Sequence, residues 1–398
     1  MDRLNVGLFN DSFPPTIDGV AQAVKNYADV LHRNHCDVTV VTPEYKGVKD
    51  EYPFDVFRYQ SIPLDHRIGY RAGNPFNPET LIKLRRKHFD LMHIHAPFAS
   101  SVLVGNINHR PRVPTVLTYH TKFDIDIAKR VPLDSMRRLA MRFLLDNINA
   151  VDEVWVVTEG CGKALRNIGY KGGYTVMENG TDFAYGRAAE ADVDALREKY
   201  QIREDEFVFL FVGRMMWYKN VRLILDSLAL LMKEGVPFRA LLVGDGYDAP
   251  DIRAYAATCG LQDRAVFTGA IYDREALRAY YSLADIFLFP STYDTSGIVV
   301  KEAAACDCPT LLVRGSCAAE GVVHAENGYL AEENADSCAQ SLLEACRDRQ
   351  ALRGVGHNAG KQLYLSWDTA VSRAYKRYQE ILKTWPGPLP YNSKNRWV

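Results

Sequence analysis

Arg214 and Lys219 stand in the run GRMMWYKNV, between an apolar stretch over 207–213 and the start of a helical pattern. Two fixed cations at such a place suit a pyrophosphate, whose negative charge grows as the bond to its substituent breaks. The plain alternative is a solvated basic pair at a helix start. That position is electrostatically poor for cations, because the amino end of a helix is itself positive. A second run, STYDTSGIVVKEAAAC, begins at Ser291. Asp294 precedes a helix starting near Gly297 and Glu302 lies inside it, so the two carboxylates need not face the same way. Ser296, Gly297, Ile298 and Val299 lie between them and present backbone amides at a helix amino end, a ready anion site. Gly297 would let a ligand come close to the backbone. Taken singly, Asp294 reads most simply as a helix cap and Glu302 as a surface carboxylate.

Other candidates are weaker. His93 and His95 alternate on one predicted strand and share a face, but no Asp or Cys partner is evident, so a metal site is not expected. GDGYDA (244–249) matches the form of a dinucleotide fingerprint. The next strand ends in Thr268 and Gly269 without the acidic residue that a nicotinamide cofactor needs, so none is expected. The 8 cysteines form no CxxC pair and read as reduced, buried thiols.

These residues must be positioned by a scaffold, and the apolar patterning supplies one. Strand-like runs at 4–9, 37–42, 91–95, 115–120, 153–158 and 174–179 alternate with helical patterns such as 20–33 and 133–149. A polar stretch over 186–206 reads as a linker. A second series of strands follows at 207–213, 239–244, 265–269, 286–291 and 310–314. Continuous apolar strands between amphipathic helices predict parallel sheets covered on both faces. The expected architecture is therefore α/β, with two Rossmann-like, doubly wound domains facing across a cleft. Ligands in this class bind outside the carboxyl ends of the strands, where the residues above fall. The predicted divisions are 1–185, a linker at 186–206, 207–365, and a terminal helix and tail at 366–398. A length of 398 residues fits two domains, and 47% hydrophobic content supplies both cores. A net charge of -1 argues against nucleic acid as the main partner. The amino terminus does not read as a signal peptide, and no apolar run is long enough for a membrane span.

In combination, Arg214 with Lys219 followed by PS-x-x-D-x-x-G-x-x-x-x-E resembles the signature of family 4 glycosyltransferases of the GT-B fold. Supporting runs are FPPTIDGV (13–20), LMHIHAPF (91–98), TYHT (118–121), VGDGY (243–247), ADIFLFPS (284–291) and ENGYL (326–330). SWDTAVSRAYKRYQ (366–379) is similar to the helix that crosses back to the first domain in that family. The resemblance implies transfer of a hexose from a nucleotide diphosphate sugar with retention of configuration and without a metal or other cofactor. It implies that Arg214 and Lys219 hold the diphosphate, Asp294 the sugar hydroxyls, and Glu302 the ribose. Gly19, Gly213, Gly244 and the amides from Ser296 to Val299 would line the donor phosphates and sugar, and Gly269 to Ile271 the base. His120 would sit at the reacting sugar, with Asp18 and His95 on the acceptor side. Three positions depart from the pattern: Asp294 replaces a glutamate, Asn220 stands where glycine usually follows the lysine, and Asp18 replaces the first of a glycine pair.

The amino-terminal motifs are similar to those of bacterial enzymes that glucosylate diacylglycerol, implying UDP-glucose as donor and a membrane lipid as acceptor. The expected location is cytoplasmic, peripheral on the inner face of the membrane. Two features could meet an anionic surface: a basic run of Lys83, Arg85, Arg86 and Lys87 with Arg67 and Arg71 upstream, and the helix over 133–149, which mixes Arg137, Arg138 and Arg142 with apolar residues. Core packing of that helix with one solvated face is the plainer reading of its spacing. A soluble or polysaccharide-precursor acceptor with a UDP- or GDP-sugar is the alternative. A nucleotide-sugar epimerase or a binding-only relative represents another class.

Overall fold

The computed structural model describes residues 3–387, apart from 17, 35, 66–69, 110–111, 124–126, 128–130 and 132. Two compact units divide the chain at Asn179/Gly180 and again at Ser366/Trp367.

In the first unit the strands are β1 (Asn5–Phe9), β2 (Asp37–Pro43), β3 (Asp55–Tyr59), β4 (Ser61–Asp65), β5 (Tyr70–Gly73), β6 (Leu91–Ile94), β7 (Thr115–Tyr119), β8 (Glu153–Val156) and β9 (Thr175–Val176). Seven of them form one sheet in the order β3-β2-β1-β6-β7-β8-β9, and β4 and β5 pair as an antiparallel ribbon. Every pairing in the large sheet is parallel; Val6, for example, lies between Val38 and Leu91. The apolar runs reflect burial on both faces, since Val6, Leu8, Phe9, Leu91 and Ile94 are wholly enclosed. Each such side chain contributes roughly 1.5–3 kcal/mol. Strand order reverses between β1 and β6, so the loops after these strands splay apart and leave a crevice at their carboxyl ends.

The closing helix Trp367–Thr384 belongs to this unit. Arg377 grips Glu153 through Nε–Oε1 (2.9 Å) and Nη2–Oε2 (2.8 Å). The Tyr378 ring stacks on Trp155 at 5.4 Å, and Trp367 meets Tyr27 edge-on.

The second unit carries β10 (Phe207–Val212), β11 (Phe238–Val243), β12 (Ala265–Gly269), β13 (Ile286–Leu288), β14 (Thr310–Val313) and β15 (Tyr329–Ala331). They form a parallel sheet in the order β12-β11-β10-β13-β14-β15, which reverses between β10 and β13. Both halves are thus doubly wound and Rossmann-like, as the strand patterns predict.

The stretch 186–206 is not a linker. It lies within the second unit and contains the helix Glu190–Lys199. Val193 and Ile202 enter that unit's core, and Gly186 N donates to Ala305 O at 2.8 Å. A helix that buries a single residue reads as polar along its length, which explains the misassignment. The first boundary likewise falls at 179/180 rather than after 185, because Phe183 packs in the second core. Strands β3, β4, β5 and β15 escape the sequence reading; they are short, and β3 to β5 mix polar with apolar residues instead of forming continuous apolar runs.

Candidate active site

The residues after β10 and β13 meet at the point where strand order reverses in the second unit. Lys219 ends a 3-10 turn (Trp217–Lys219), and its Nζ donates to Asp294 Oδ1 at 2.5 Å. The other carboxylate oxygen accepts from Ser291 Oγ, also at 2.5 Å. Both charged side chains are largely shielded, at 13% and 23% exposure, so the pair is less screened than a surface ion pair. An ammonium carries three donors, so Lys219 can hold Asp294 and still donate to an anion. Arg214 is exposed on the same strand exit and has no ion-pair partner among the described residues.

Asn220, the departure from glycine, has φ 57° and ψ 32°. This left-handed conformation favours glycine and tolerates asparagine best among the others. Its side chain adds what glycine lacks: Nδ2 donates to Pro290 O at 2.9 Å and to Glu333 Oε1 at 2.7 Å. The substitution therefore ties the loop after β10 to the loop after β13.

Gly297 begins the helix Ile298–Ala305 with φ 53° and no side-chain cap. A Cβ there would lie 3.0 Å from that of Ala318. Ile298 and Val299 supply the first helical amides, with Ser296 just ahead of them. Gly213, Gly244 and Gly269 end adjacent strands and pack backbone to backbone: Gly244 N donates to Gly269 O at 2.9 Å, and Gly213 N to Val243 O at 3.0 Å. Gly244 has φ 137°, and a Cβ would fall 1.9 Å from Gly213 O, so only glycine fits. Space is open beside Gly269, while Ile271 packs partly against the core.

Glu302 departs furthest from the sequence reading. It is not a surface carboxylate: its side chain is 8% exposed and lies against Arg274 and Tyr281. The network around it was not revealed by sequence spacing: Arg274 and Tyr281 lie two turns apart on the helix Arg274–Leu283, but Asp182 and Glu302 are distant from that helix in the chain. Ser291, by contrast, stands in the quoted PS motif and was open to notice.

In the first unit, His95 and His120 follow β6 and β7. His95 Nδ1 and His120 Nε2 are 2.9 Å apart, sharing one proton, and the rings stack at 5.2 Å. His95 Nε2 is buried without a hydrogen-bond partner. Burial, reinforced by His93 and His120, pushes the His95 pKa well below its ordinary value, and burial takes His120 down to about 3. Both imidazoles are neutral near pH 7. His93 is a structural residue, with Nδ1 on Tyr378 OH at 2.6 Å and Nε2 on Thr118 Oγ1 at 2.7 Å. Among the described residues, no group of three or more His, Cys, Asp or Glu is placed to hold a metal ion.

Asp18 caps the helix Gly19–Arg33, its Oδ1 accepting from Val20 N (2.8 Å) and Ala21 N (2.7 Å). Gly19 is the first helical residue and has nothing within 4 Å of a notional Cβ, so packing alone does not demand glycine. Asp11, which sequence reading passed over, accepts from Ser100 N (2.8 Å) and Ser100 Oγ (2.7 Å) through Oδ1, while Oδ2 is buried and unpartnered. Burial raises its pKa to about 6 against these hydrogen bonds.

The basic run is mostly engaged locally. Lys83 pairs with Glu79, Arg85 donates to Asn106 O, and Lys87 pairs with Asp55. Arg71 is held by Ser61, and Arg67 lies outside the described residues. The helix Asp134–Asn149 corrects the core-packed reading: it buries Leu144, Asn147 and Ile148 in its last turns but leaves Met136 (54%) and Leu139 (69%) exposed. No described helix is long and apolar enough to cross a membrane.

Comparison with known proteins identifies the family and the fold. Residues 17–185 match the model of Glycosyltransferase Family 4, and residues 192–362 that of Glycosyl transferases group 1. The alpha-monoglucosyldiacylglycerol synthase of Streptococcus pneumoniae is 26% identical, over 77% of this chain and 70% of that protein. The same-named enzyme of Acholeplasma laidlawii is 24% identical, over 89% and 92% respectively. Among solved structures, sucrose-phosphate synthase from Thermosynechococcus elongatus shares the fold, with a TM-score of 0.77 at 21% identity over 96% of this chain and 100% of that one. Two family models spanning both units, on two doubly wound sheets, make this chain a family 4 glycosyltransferase of the GT-B fold, an enzyme of the hexosyltransferase type.

Proposed function

We propose that this glycosyltransferase moves glucose from UDP-glucose to a diacylglycerol-type membrane lipid, with retention and with protein cations in place of a metal. The observation that carries the chemistry is Lys219 held against Asp294 at 2.5 Å, with Arg214 exposed at the exit of the strand that leads to Lys219. As the sugar–phosphate bond lengthens, charge builds on the diphosphate, and fixed cations in a shielded site stabilise it without reorganising. Asp294 orients the sugar hydroxyls, and its contacts to Lys219 and Ser291 hold it in place. Ile298 and Val299 present helix-start amides to the donor, and Glu302 takes the ribose hydroxyls. His120, neutral by burial, offers the reacting sugar a hydrogen bond rather than a charge. Departure and attack on one sugar face need leaving-group stabilisation and positioning more than a nucleophilic side chain.

The lipid acceptor is supported by the names of the two bacterial relatives and by the apolar residues exposed on the helix Asp134–Asn149. The protein would then work as a peripheral enzyme on the cytoplasmic face of the membrane. The test offers UDP-glucose and GDP-mannose separately to the enzyme with diacylglycerol in phosphatidylglycerol vesicles, with EDTA present. A lipid product carrying an α-linked glucose by NMR is expected. Product only with GDP-mannose, only on soluble saccharides, or only with added divalent metal would overturn the corresponding part of the reading.

A further inference from the structure

Glu302 does not stand alone. Its Oε1 accepts from Arg274 Nη2 at 2.7 Å and its Oε2 from Tyr281 OH at 2.8 Å. Arg274 also forks onto Asp182, with Nε to Oδ2 at 2.9 Å and Nη2 to Oδ1. The guanidinium lies over the Phe183 ring at 4.3 Å. Arg274 therefore bridges two carboxylates that are 120 positions apart in sequence, with one face covered by an aromatic ring. Tyr281 is wholly buried, so its hydroxyl has a fixed direction.

We propose that Arg274 and Tyr281 are positioning residues that hold the Glu302 carboxylate in the one orientation that receives the donor's ribose hydroxyls, with Asp182 anchoring Arg274. This rests on the reading of Glu302 as the ribose-binding group. Each Glu302 oxygen has room for two hydrogen bonds and spends one on the network, leaving acceptor capacity on both. Two diol hydroxyls can only donate together to a carboxylate whose plane is fixed, and two protein donors on opposite oxygens fix it. Lysine keeps the charge but lacks the planar fork that spans two carboxylates at once. Asp182 lies just beyond the Asn179/Gly180 division, so the same guanidinium anchors the start of the second unit to its donor site.

The experiment measures dissociation constants by calorimetry for UDP, GDP and ADP and for their 2′,3′-dideoxy counterparts. All three bases share the ribose, so the readout does not depend on donor identity. In the native protein the nucleotide that binds should exceed its dideoxy form by about tenfold, or ~1.4 kcal/mol. Glu302→Gln should remove most of that preference. Arg274→Lys and Tyr281→Phe should each remove most of it too, while the dideoxy nucleotide binds as tightly as to the native protein. That second readout separates positioning from misfolding, because a damaged fold would weaken both ligands equally. Asp182→Asn should give an intermediate loss. If Glu302→Gln removes the preference but Arg274→Lys and Tyr281→Phe retain it, the positioning role is wrong and the ribose reading stands. If Glu302→Gln retains it, or if no nucleotide distinguishes the sugar hydroxyls, the ribose reading itself fails and the proposal with it.

Discussion

Asp294 owes its position to two short contacts, one to Lys219 and one to Ser291. Lengthening the side chain to the glutamate usual in the family would move the carboxylate by roughly one bond, ~1.5 Å. Misplacement on that scale can cost about 100-fold in rate. Asp294→Glu is therefore expected to lower kcat at least tenfold here, although it restores the family residue; a gain in kcat would show that the loop accommodates either length. Lys219→Ala should be harsher on turnover, about 100-fold or more, with a change in melting temperature of only a few degrees. A collapse of the melting temperature in the unliganded variant would make Lys219 structural instead.

Histidine titration belongs to the same scale. The folded pKa of His120 is about 3 against an ordinary 6.5, and those of His93 and His95 are also depressed by burial. Their neutral burial is fully favourable above the unfolded value and is lost as pH falls through and below 6.5. For His120 this is about 2 kcal/mol between pH 6.5 and 5. Asp11 acts in the opposite sense. Its folded pKa is about 6 against 3.8, so the cost of burying its charge is present above pH 6 and relieved on acidification. The expected result is a melting temperature that falls from pH 7 to 5, and falls more steeply in Asp11→Asn, where the relief is gone. An NMR titration placing any of the three imidazoles near 6.5 would contradict this.

At the level of elements, glycines fix how closely strand ends and loops approach. Gly244→Ala would drive a methyl into Gly213 O at 1.9 Å, and backbone cannot yield as a flexible side chain can. Gly269→Ala meets open space and carries only the cost of φ 78°, roughly 1–2 kcal/mol. The first variant is expected to lose soluble folded protein and the second only several degrees of melting temperature; equal behaviour would refute the packing argument. The same distinction explains what the sequence could carry. Apolar strands flanked by amphipathic helices made both sheets legible, because burial on two faces leaves a continuous signature. Arg214, Lys219, Asp294 and the amides after Gly297 were legible because they follow strands, which places them at carboxyl ends. The Arg274 bridge was not, because a contact between Asp182, Arg274 and Glu302 is set by tertiary packing and has no periodicity. Nor could spacing decide the helix Asp134–Asn149, where burial is confined to the last turns while the pattern runs the whole length.

For the whole molecule, a net charge of -1 rules out general electrostatic attraction as the route to an anionic membrane. Any attachment must come from a local surface, and the helix Asp134–Asn149 offers one. At helical spacing Met136, Leu139 and Phe143 share a side, bordered by Arg137 and Arg142, with Leu133 just ahead at 58% exposure. Arg137 is paired to Asp134 and Arg142 loosely to Asp146, at 3.1 and 3.8 Å, which leaves exposed Arg138 as the main uncompensated charge on the helix. Apolar insertion should then dominate, and salt should weaken binding without abolishing it. With phosphatidylglycerol vesicles the native protein is expected to pellet at low salt and to remain partly bound at higher salt. Met136→Gln with Leu139→Glu should abolish pelleting and reduce transfer to vesicle-borne diacylglycerol, while leaving the UDP-induced thermal shift intact, since the donor residues lie in the other unit. Unchanged pelleting of the double variant would move the docking surface elsewhere on the first unit. A native protein that stays in solution at low salt would remove the membrane from the proposal and turn the acceptor search toward soluble saccharides.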